Sequence, residues 1–230
     1  MRKYRPEEIA GVIDHTLLRP DAVEEDVRRL CEEALRYGFH SVCVSPCFVA
    51  RARDFLGEGP VSVCTVIGFP TGASLTAVKL YEAIETVLHG ADELDVVINV
   101  GLAKSGGWNE LRREIESIVT ASPDAVHKII IETGCLDDGG ITKASQAAAE
   151  AGAEFVKTST GFGPRGASLR DVELMKRAVS GRARIKAAGG IKTLGQVVSF
   201  LQAGASRIGT SSGVSIMEEA YDAYGRLDPA

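Results

Sequence analysis

No basic run or stripe occurs anywhere in this chain. Its 26 Lys and Arg residues are outnumbered by 31 Asp and Glu residues, for a net charge of -5. Binding to a polyanion needs clustered cations, so nucleic acid is excluded as a partner. No apolar run reaches membrane-spanning length, and a membrane is excluded on the same footing. The first residues, Met1-Arg2-Lys3-Tyr4-Arg5-Pro6, lack the apolar segment of a signal peptide. Paired cysteine spacings are missing as well. The five cysteines, Cys31, Cys43, Cys47, Cys64 and Cys135, are odd in number and none has a zinc-site spacing. Reduced thiols in a cytoplasmic protein fit that pattern. The four histidines, His15, His40, His89 and His127, form neither HxH nor HExxH, so nothing points to a metal.

What is present is a chain of 230 residues with 45% hydrophobic content and 25 glycines. That supports one large core, a single barrel or two small domains. Short β-branched runs alternate with helix-length amphipathic segments. Strands are predicted at 41–45, 61–67, 93–99, 127–132, 155–159, 184–188 and 206–209. The segment Val12-Ile13-Asp14-His15-Thr16 is a candidate short eighth. Helices are predicted from an Asp21 cap to Tyr37, from Phe48 to Phe55, from a Ser74 cap to His89, and from Asn109 to Ala121. Further helices are predicted over Thr142–Ala151, Ser168–Val179, Thr193–Gly204 and Ser212–Ala223. A helix ending in glycine with a strand two or three residues later recurs at Gly38, Gly90, Gly152 and Gly204. Alternation of this kind makes parallel βαβ units. Eight of them in this length form a small (β/α)8 barrel, expected as one domain over residues 1–230 with an extra N-terminal segment. The alternative, an open doubly wound sheet, would carry a dinucleotide loop after its first strand, and no GxGxxG stands there.

Strands of a parallel sheet are buried on both faces, and alternation assigns each side chain to one of them. In Leu94-Asp95-Val96-Val97-Ile98-Asn99, the apolar set Leu94, Val96 and Ile98 belongs against helices. Asp95, Val97 and Asn99 then face the interior. The same rule points Cys43, Lys128, Ile130, Glu132, Lys157, Ser159 and Lys186 inward. Barrel interiors are normally filled by branched apolar side chains, so this polar set marks either a structural ion network or a reaction site. Lys157 and Lys186 lie mid-strand on neighbouring strands. Each opposes the other's charge, which favours a neutral amine at one of them. A neutral lysine is a nucleophile suited to forming a Schiff base with a carbonyl. Three glycine-rich segments, Thr160-Gly161-Phe162-Gly163, Gly189-Gly190-Ile191 and Gly209-Thr210-Ser211-Ser212-Gly213, follow strands. They belong at the C-terminal face, where barrels bind substrate and where glycine turns backed by helix N-termini attract phosphate. Plain turn chemistry is the alternative.

These residues resemble the deoxyribose-phosphate aldolase family over nearly the whole chain. The similarity runs through Ile13 to Pro20, Val42 to Pro46, Val66 to Pro70, Glu93 to Asn99, Ile129 to Gly134, Val156 to Gly163 and Lys186 to Ile191. The resemblance implies a class I aldolase with no cofactor. It would split 2-deoxy-D-ribose 5-phosphate into D-glyceraldehyde 3-phosphate and acetaldehyde in deoxynucleoside catabolism. It implies Lys157 as the Schiff-base lysine, Lys186 as the lysine that perturbs it and Asp95 as the proton-transfer residue. Asp14, Thr16, Cys43 and Lys128 match pocket positions. Thr160, Gly161, Gly189, Gly190, Gly209, Ser211 and Ser212 match substrate and phosphate contacts. Some members carry a lysine where this chain has Phe162, and some use a C-terminal tyrosine, for which Tyr221 and Tyr224 are present. A homodimer or homotetramer is implied as well. A barrel isomerase, another Schiff-base aldolase and a non-catalytic sugar-phosphate sensor are the rival readings. A sensor has no use for two inward lysines beside an aspartate.

Overall fold

The computed structural model of the chain describes residues 4–225. Eight parallel strands close into a barrel in sequence order, β1 pairing with both β2 and β8. They are β1 (Ile13–Leu17), β2 (Ser41–Val44), β3 (Ser62–Ile67), β4 (Glu93–Val97), β5 (Val126–Ile130), β6 (Phe155–Lys157), β7 (Arg184–Ala188) and β8 (Arg207–Thr210). The candidate eighth strand is thus β1. A short helix, α1 (Pro6–Ala10), precedes it. The outer ring holds α2 (Glu24–Tyr37), α3 (Val49–Leu56), α4 (Thr76–Leu88), α5 (Val100–Lys104), α6 (Trp108–Ala121), α7 (Asp138–Glu150), α8 (Leu169–Val179), α9 (Leu194–Ala203) and α10 (Gly213–Tyr224). Among the described residues no helix is long and apolar enough to cross a membrane.

The strands hold together because each carries two buried faces. Val42, Val44, Leu94, Val96, Ile129, Val156, Ile185 and Ala187 join the helices in one continuous apolar cluster between barrel and ring. The opposite parity faces the interior, where Cys43, Cys64 and Val66 form a separate small cluster. Left-handed Gly38 ends α2, with φ 70°, and Gly204 ends α9, with φ 113°. Both conformations suit glycine alone, and both chains turn directly into the next strand.

Two expected caps are corrected. Helix α2 starts after Val23, not Asp21: Asp26 accepts the Val23 N–H at 3.1 Å, while Asp21 pairs with Arg19. Helix α4 starts after Leu75, with no side-chain cap from Ser74. Helix α7 begins earlier than Thr142, because Asp137 caps it by accepting the Gly140 N–H. Asn99 does not continue β4 inward; it caps α5 by accepting the Leu102 N–H at 3.0 Å.

Candidate active site

The register sets the interior. Asp95 pairs with Lys128 across β4 and β5, Lys157 with Lys186 across β6 and β7, and Lys186 with Arg207 across β7 and β8. Because paired residues on parallel strands share a face, these side chains converge on the axis. Asp95 is their centre. Its Oδ2 accepts from Lys157 Nζ at 2.6 Å and from Lys186 Nζ at 2.7 Å. Its Oδ1 accepts from Lys128 Nζ at 2.8 Å and from the Cys64 thiol at 3.4 Å. Lys186 also meets Asp14 Oδ2 at 2.5 Å, and Lys128 meets Glu93 Oε2 at 2.8 Å. Arg207 closes the network below, donating to Asp14 Oδ1 at 2.8 Å and to Glu93. Ser41 donates to Asp14 at 2.7 Å.

Burial disfavours every one of these charges, and the partners reverse that cost. Burial pushes the Asp95 carboxyl up, but Lys128, Lys157 and Lys186 hold it well below the usual carboxylate range. Asp14 follows the same pattern through Lys186, Lys128 and Arg207. Glu93 is lowered to about 2, against burial, by Lys128, His40 and Arg207. The repulsion between neighbouring lysines does not make Lys186 the neutral amine. Burial pulls its pKa down, yet Asp14 and Asp95 overcome this and hold the ammonium above the ordinary lysine value. Lys128 is raised likewise by Asp95 and Glu93, again against burial. Both are fixed cations.

Above this cluster opens a cavity of about 390 Å³, lined by Thr16, Lys157, Thr160, Gly161, Phe162, Gly189, Gly190, Gly209 and Ser211. Leu17 to Pro20, Ala188, Ile191, Lys192 and Thr210 complete the wall. Of the three lysines on Asp95, Lys157 borders this space; Lys128 and Lys186 are fully buried beneath it. Three positive-φ glycines shape the rim, Gly161 (φ 90°), Gly189 (φ 91°) and Gly190 (φ 78°). A Cβ on Gly209 would lie 3.0 Å from Ala188 Cβ and 3.2 Å from Lys186 Cε, so glycine there leaves room for the lysine.

Asp14, Cys43 and Lys128 do not line the cavity: they are fully buried in the floor. Ser212 also falls outside the lining, and its N–H is donated to Thr210 Oγ1 at 2.9 Å. Glu132 does not point down the barrel with β5. It adopts φ 49° and accepts from the Thr160 N–H and hydroxyl, tying the segment after Lys157 to β5. The sequence reading missed Glu93 and Arg207, although each shares the inward parity of its strand. It also missed Lys192, a cation at the rim of the same cavity as Phe162.

One arrangement could suit a metal. Ligand atoms of Cys43, Cys64 and Asp95 lie within 4.8 Å of one another. Both Asp95 oxygens are engaged by ammonium groups, and Lys128 Nζ lies 3.1 Å from Cys64 Sγ. The fixed cations Lys128 and Lys186 packed on the would-be ligand repel another. The thiols are also split: a hydrogen bond with Cys64 lowers Cys43, whereas burial raises Cys64 well above its usual value.

A parallel barrel with one amine at the floor of a glycine-rimmed cavity, on a carboxylate shared with two fixed cations, is an arrangement built for carbonyl chemistry. The chain belongs to the DeoC/LacD aldolase family, whose model matches residues 9–219. It is 51% identical over 214 residues to the deoxyribose-phosphate aldolase of Carboxydothermus hydrogenoformans, covering 91% of this chain and 94% of that protein. It is 50% identical over 220 residues to the deoxyribose-phosphate aldolase of Thermococcus gammatolerans, covering 94% and 98%. The tetrameric structure of deoxyribose phosphate aldolase from Aeropyrum pernix superposes with a TM-score of 0.85 at 38% identity, over 93% of this chain and 91% of that one.

Proposed function

We propose that the chain acts as a single barrel domain that reversibly cleaves 2-deoxy-D-ribose 5-phosphate to D-glyceraldehyde 3-phosphate and acetaldehyde, through a Schiff base on Lys157, in deoxynucleoside catabolism. One observation carries the assignment of the nucleophile: Lys157 alone of the three lysines on Asp95 reaches the cavity.

The buried cluster holds four basic side chains, Lys128, Lys157, Lys186 and Arg207, against three carboxylates, Asp14, Glu93 and Asp95. Releasing one proton brings it to neutrality instead of stranding a charge. The amine of Lys157 attacks the aldehyde carbon of the open-chain sugar, and loss of water gives an iminium. The iminium draws the electrons of the breaking carbon–carbon bond as the 3-hydroxyl gives up its proton. An enamine remains, which takes a proton at carbon and is hydrolysed to acetaldehyde. Asp95, 2.6 Å from Lys157 Nζ, holds the amine in place and relays protons with a water, while Lys186 keeps Asp95 ionised. The lysine imine is itself the electron sink, so the reaction asks for no metal or organic cofactor.

The 5-phosphate belongs at Gly161, Gly189, Gly190, Gly209 and Ser211, against the N-terminal ends of α9 and α10. Lys192 supplies there the charge that Phe162 does not. Thr16 Oγ1 donates to the Asp14 carbonyl at 2.9 Å and keeps lone pairs to accept from a sugar hydroxyl, whereas the Thr160 hydroxyl is held between Glu132 and the Phe162 N–H and shapes the wall. Self-association into a dimer or tetramer accords with the tetrameric Aeropyrum pernix relative.

Borohydride trapping tests the reading. Incubation with acetaldehyde and borohydride is expected to leave an ethyl group on Lys157, found by peptide mass, together with loss of activity; Lys157→Arg is expected to take up none. Reduction on another lysine, or on none, sinks the assignment.

A further inference from the structure

Three consecutive strands carry a row of cations. The register sets Lys157 of β6 beside Lys186 of β7, and Lys186 beside Arg207 of β8. Like charges directly opposite one another destabilise a sheet. Here all three are buried as well, Arg207 being 4% exposed. A guanidinium keeps its charge in any protein environment, so Arg207 is the member of the row that cannot yield a proton.

The carboxylates facing the row are unevenly shared. Arg207 meets Asp14 Oδ1 at 2.8 Å and Glu93 Oε2 at 3.1 Å. Lys186 meets Asp14 Oδ2 at 2.5 Å and Asp95 Oδ2 at 2.7 Å. Lys128, from β5, meets Glu93 Oε2 and Asp95 Oδ1, each at 2.8 Å. Among the described residues Lys157 pairs with Asp95 alone, on the oxygen that Lys186 also uses. His40, just ahead of β2, adds a contact to Glu93 at 3.2 Å. The thiols of Cys43 and Cys64 lie against Asp95 from β2 and β3. On its other side the Arg207 guanidinium rests 5.1 Å from the Phe155 ring, which Arg184 covers at 4.0 Å.

We infer that Arg207 is a positioning residue for the Schiff-base step: its fixed charge occupies Asp14 and Glu93 and leaves Lys157 as the amine that surrenders its proton. This rests on the Lys157 reading above and names the group that frees the amine. The balance of charge carries it. With Arg207 in place, the four basic groups outnumber the three carboxylates, and the buried cluster is neutral when one base gives up a proton. Lys128 and Lys186 each hold two carboxylates, so the base that yields is Lys157. Its proton passes to solvent in the cavity, and the electron pair left on Nζ is the one that attacks the aldehyde. Without the guanidinium, three lysines face three carboxylates. The cluster is then neutral with Lys157 charged, and nothing drives the proton out. Strand β8 lies two strand spacings from β6, about 10 Å. At that range a buried unit charge moves the titration of a lysine by on the order of one pH unit.

Removing the charge, and separately keeping it on a different side chain, tests this. The readout is the rate at which acetaldehyde and cyanoborohydride ethylate Lys157, found by peptide mass, from about pH 6 to about pH 10. The pH dependence of kcat/KM on deoxyribose 5-phosphate is measured over the same range. Arg207→Met and Arg207→Gln remove the charge in two shapes, and circular dichroism verifies their folding. Both are expected to move the rising limb of each profile up by about one pH unit, with roughly tenfold loss near neutral pH that recovers in alkali. Arg207→Lys is expected to keep the wild-type midpoint. Either neutral variant, once folded, decides the matter. Failure of both to fold, or a loss equal at every pH and shared by Arg207→Lys, would make Arg207 a brace of the barrel and overturn the inference. An unmoved midpoint in the neutral variants would overturn it too, and would mean that Cys43, the other proton donor beside Asp95, balances the charge. Wild type that takes up no ethyl group on Lys157 would instead sink the reading on which the inference rests.

Discussion

Asp95 is the residue on which the interior depends. A carboxylate has about four acceptor sites, and here they serve three lysine Nζ groups and a thiol. Asn is nearly isosteric, but its amide nitrogen cannot accept, and it carries no charge to balance Lys128 and Lys186. Asp95→Asn is therefore expected to lower kcat by roughly 10²–10⁴, the range of a lost acid–base group, while KM moves little. Steady-state kinetics on deoxyribose 5-phosphate separate the two. A change in KM alone would remove Asp95 from the proton relay. Asp95 and its lysines were legible in the sequence because strand alternation fixes side-chain direction. The same rule applies to Glu93 and Arg207, which sit at the start of their strands. They were passed over because charged residues at strand ends ordinarily reach water, and here a closed barrel seals that end. What alternation cannot give is depth: Cys43 and Lys128 face inward as expected, yet with Asp14, a position only the family resemblance pointed to, they form the floor beneath the cavity.

At the scale of elements, the strand–loop–helix junctions decide what binds. Loops β6–α8, β7–α9 and β8–α10 all end on one side of the barrel, and their glycines leave the backbone open to the phosphate proposed there. Their positions were readable from glycine punctuation, but the side chains on them were not, because a loop has no periodicity to give direction. Lys192, on the β7–α9 loop, was lost for that reason. The Asp21 and Ser74 caps failed for a related cause, whereas Thr193 does cap α9. A sequence rule looks for an oxygen-bearing side chain ahead of the helix, whereas α2 satisfies its first N–H with Asp26 from inside. The loop reading makes a specific demand. A phosphate held at Ser211 and Lys192 is remote from the aldehyde, so its binding energy serves to place the reacting carbon against Lys157. Ser211→Asp and Lys192→Ala are each expected to lower kcat/KM for the phosphorylated sugar by about tenfold or more, the aspartate more severely because it repels the phosphate. Unphosphorylated deoxyribose has no charge there, and its slow cleavage is expected to stay within about twofold of wild type. Equal loss on both sugars would place the damage at Lys157 and not at the phosphate.

At the scale of the whole molecule, the ion cluster joins β1, β4, β5, β6, β7 and β8, so its protonation state is a property of barrel closure. Asp14, Asp95 and Glu93 all have folded pKa values below their ordinary values of 3.8 and 4.5, with Glu93 near 2. Groups of that kind stabilise the fold fully above the unfolded pKa, and the contribution disappears as pH falls through the folded one. Lys128 and Lys186 have folded values above their ordinary 10.5. Their contribution is complete below 10.5 and is lost as pH rises past it. The two signs together give a stability plateau from about pH 5 to about pH 10, with a fall on either side. Between about pH 4.5 and 2 each depressed carboxylate steepens the acid limb by up to about 1.4 kcal/mol per pH unit, because unfolding takes up its proton. Denaturant unfolding at closely spaced pH values measures that slope directly. Asp95→Asn is expected to be less stable on the plateau by about 3–5 kcal/mol, since it strands buried lysines. Its acid limb is expected to be shallower by roughly one proton, since one depressed carboxylate is gone. A variant with the wild-type slope would mean that the acid transition is carried by surface carboxylates and that Asp95 is not ionised in the folded barrel.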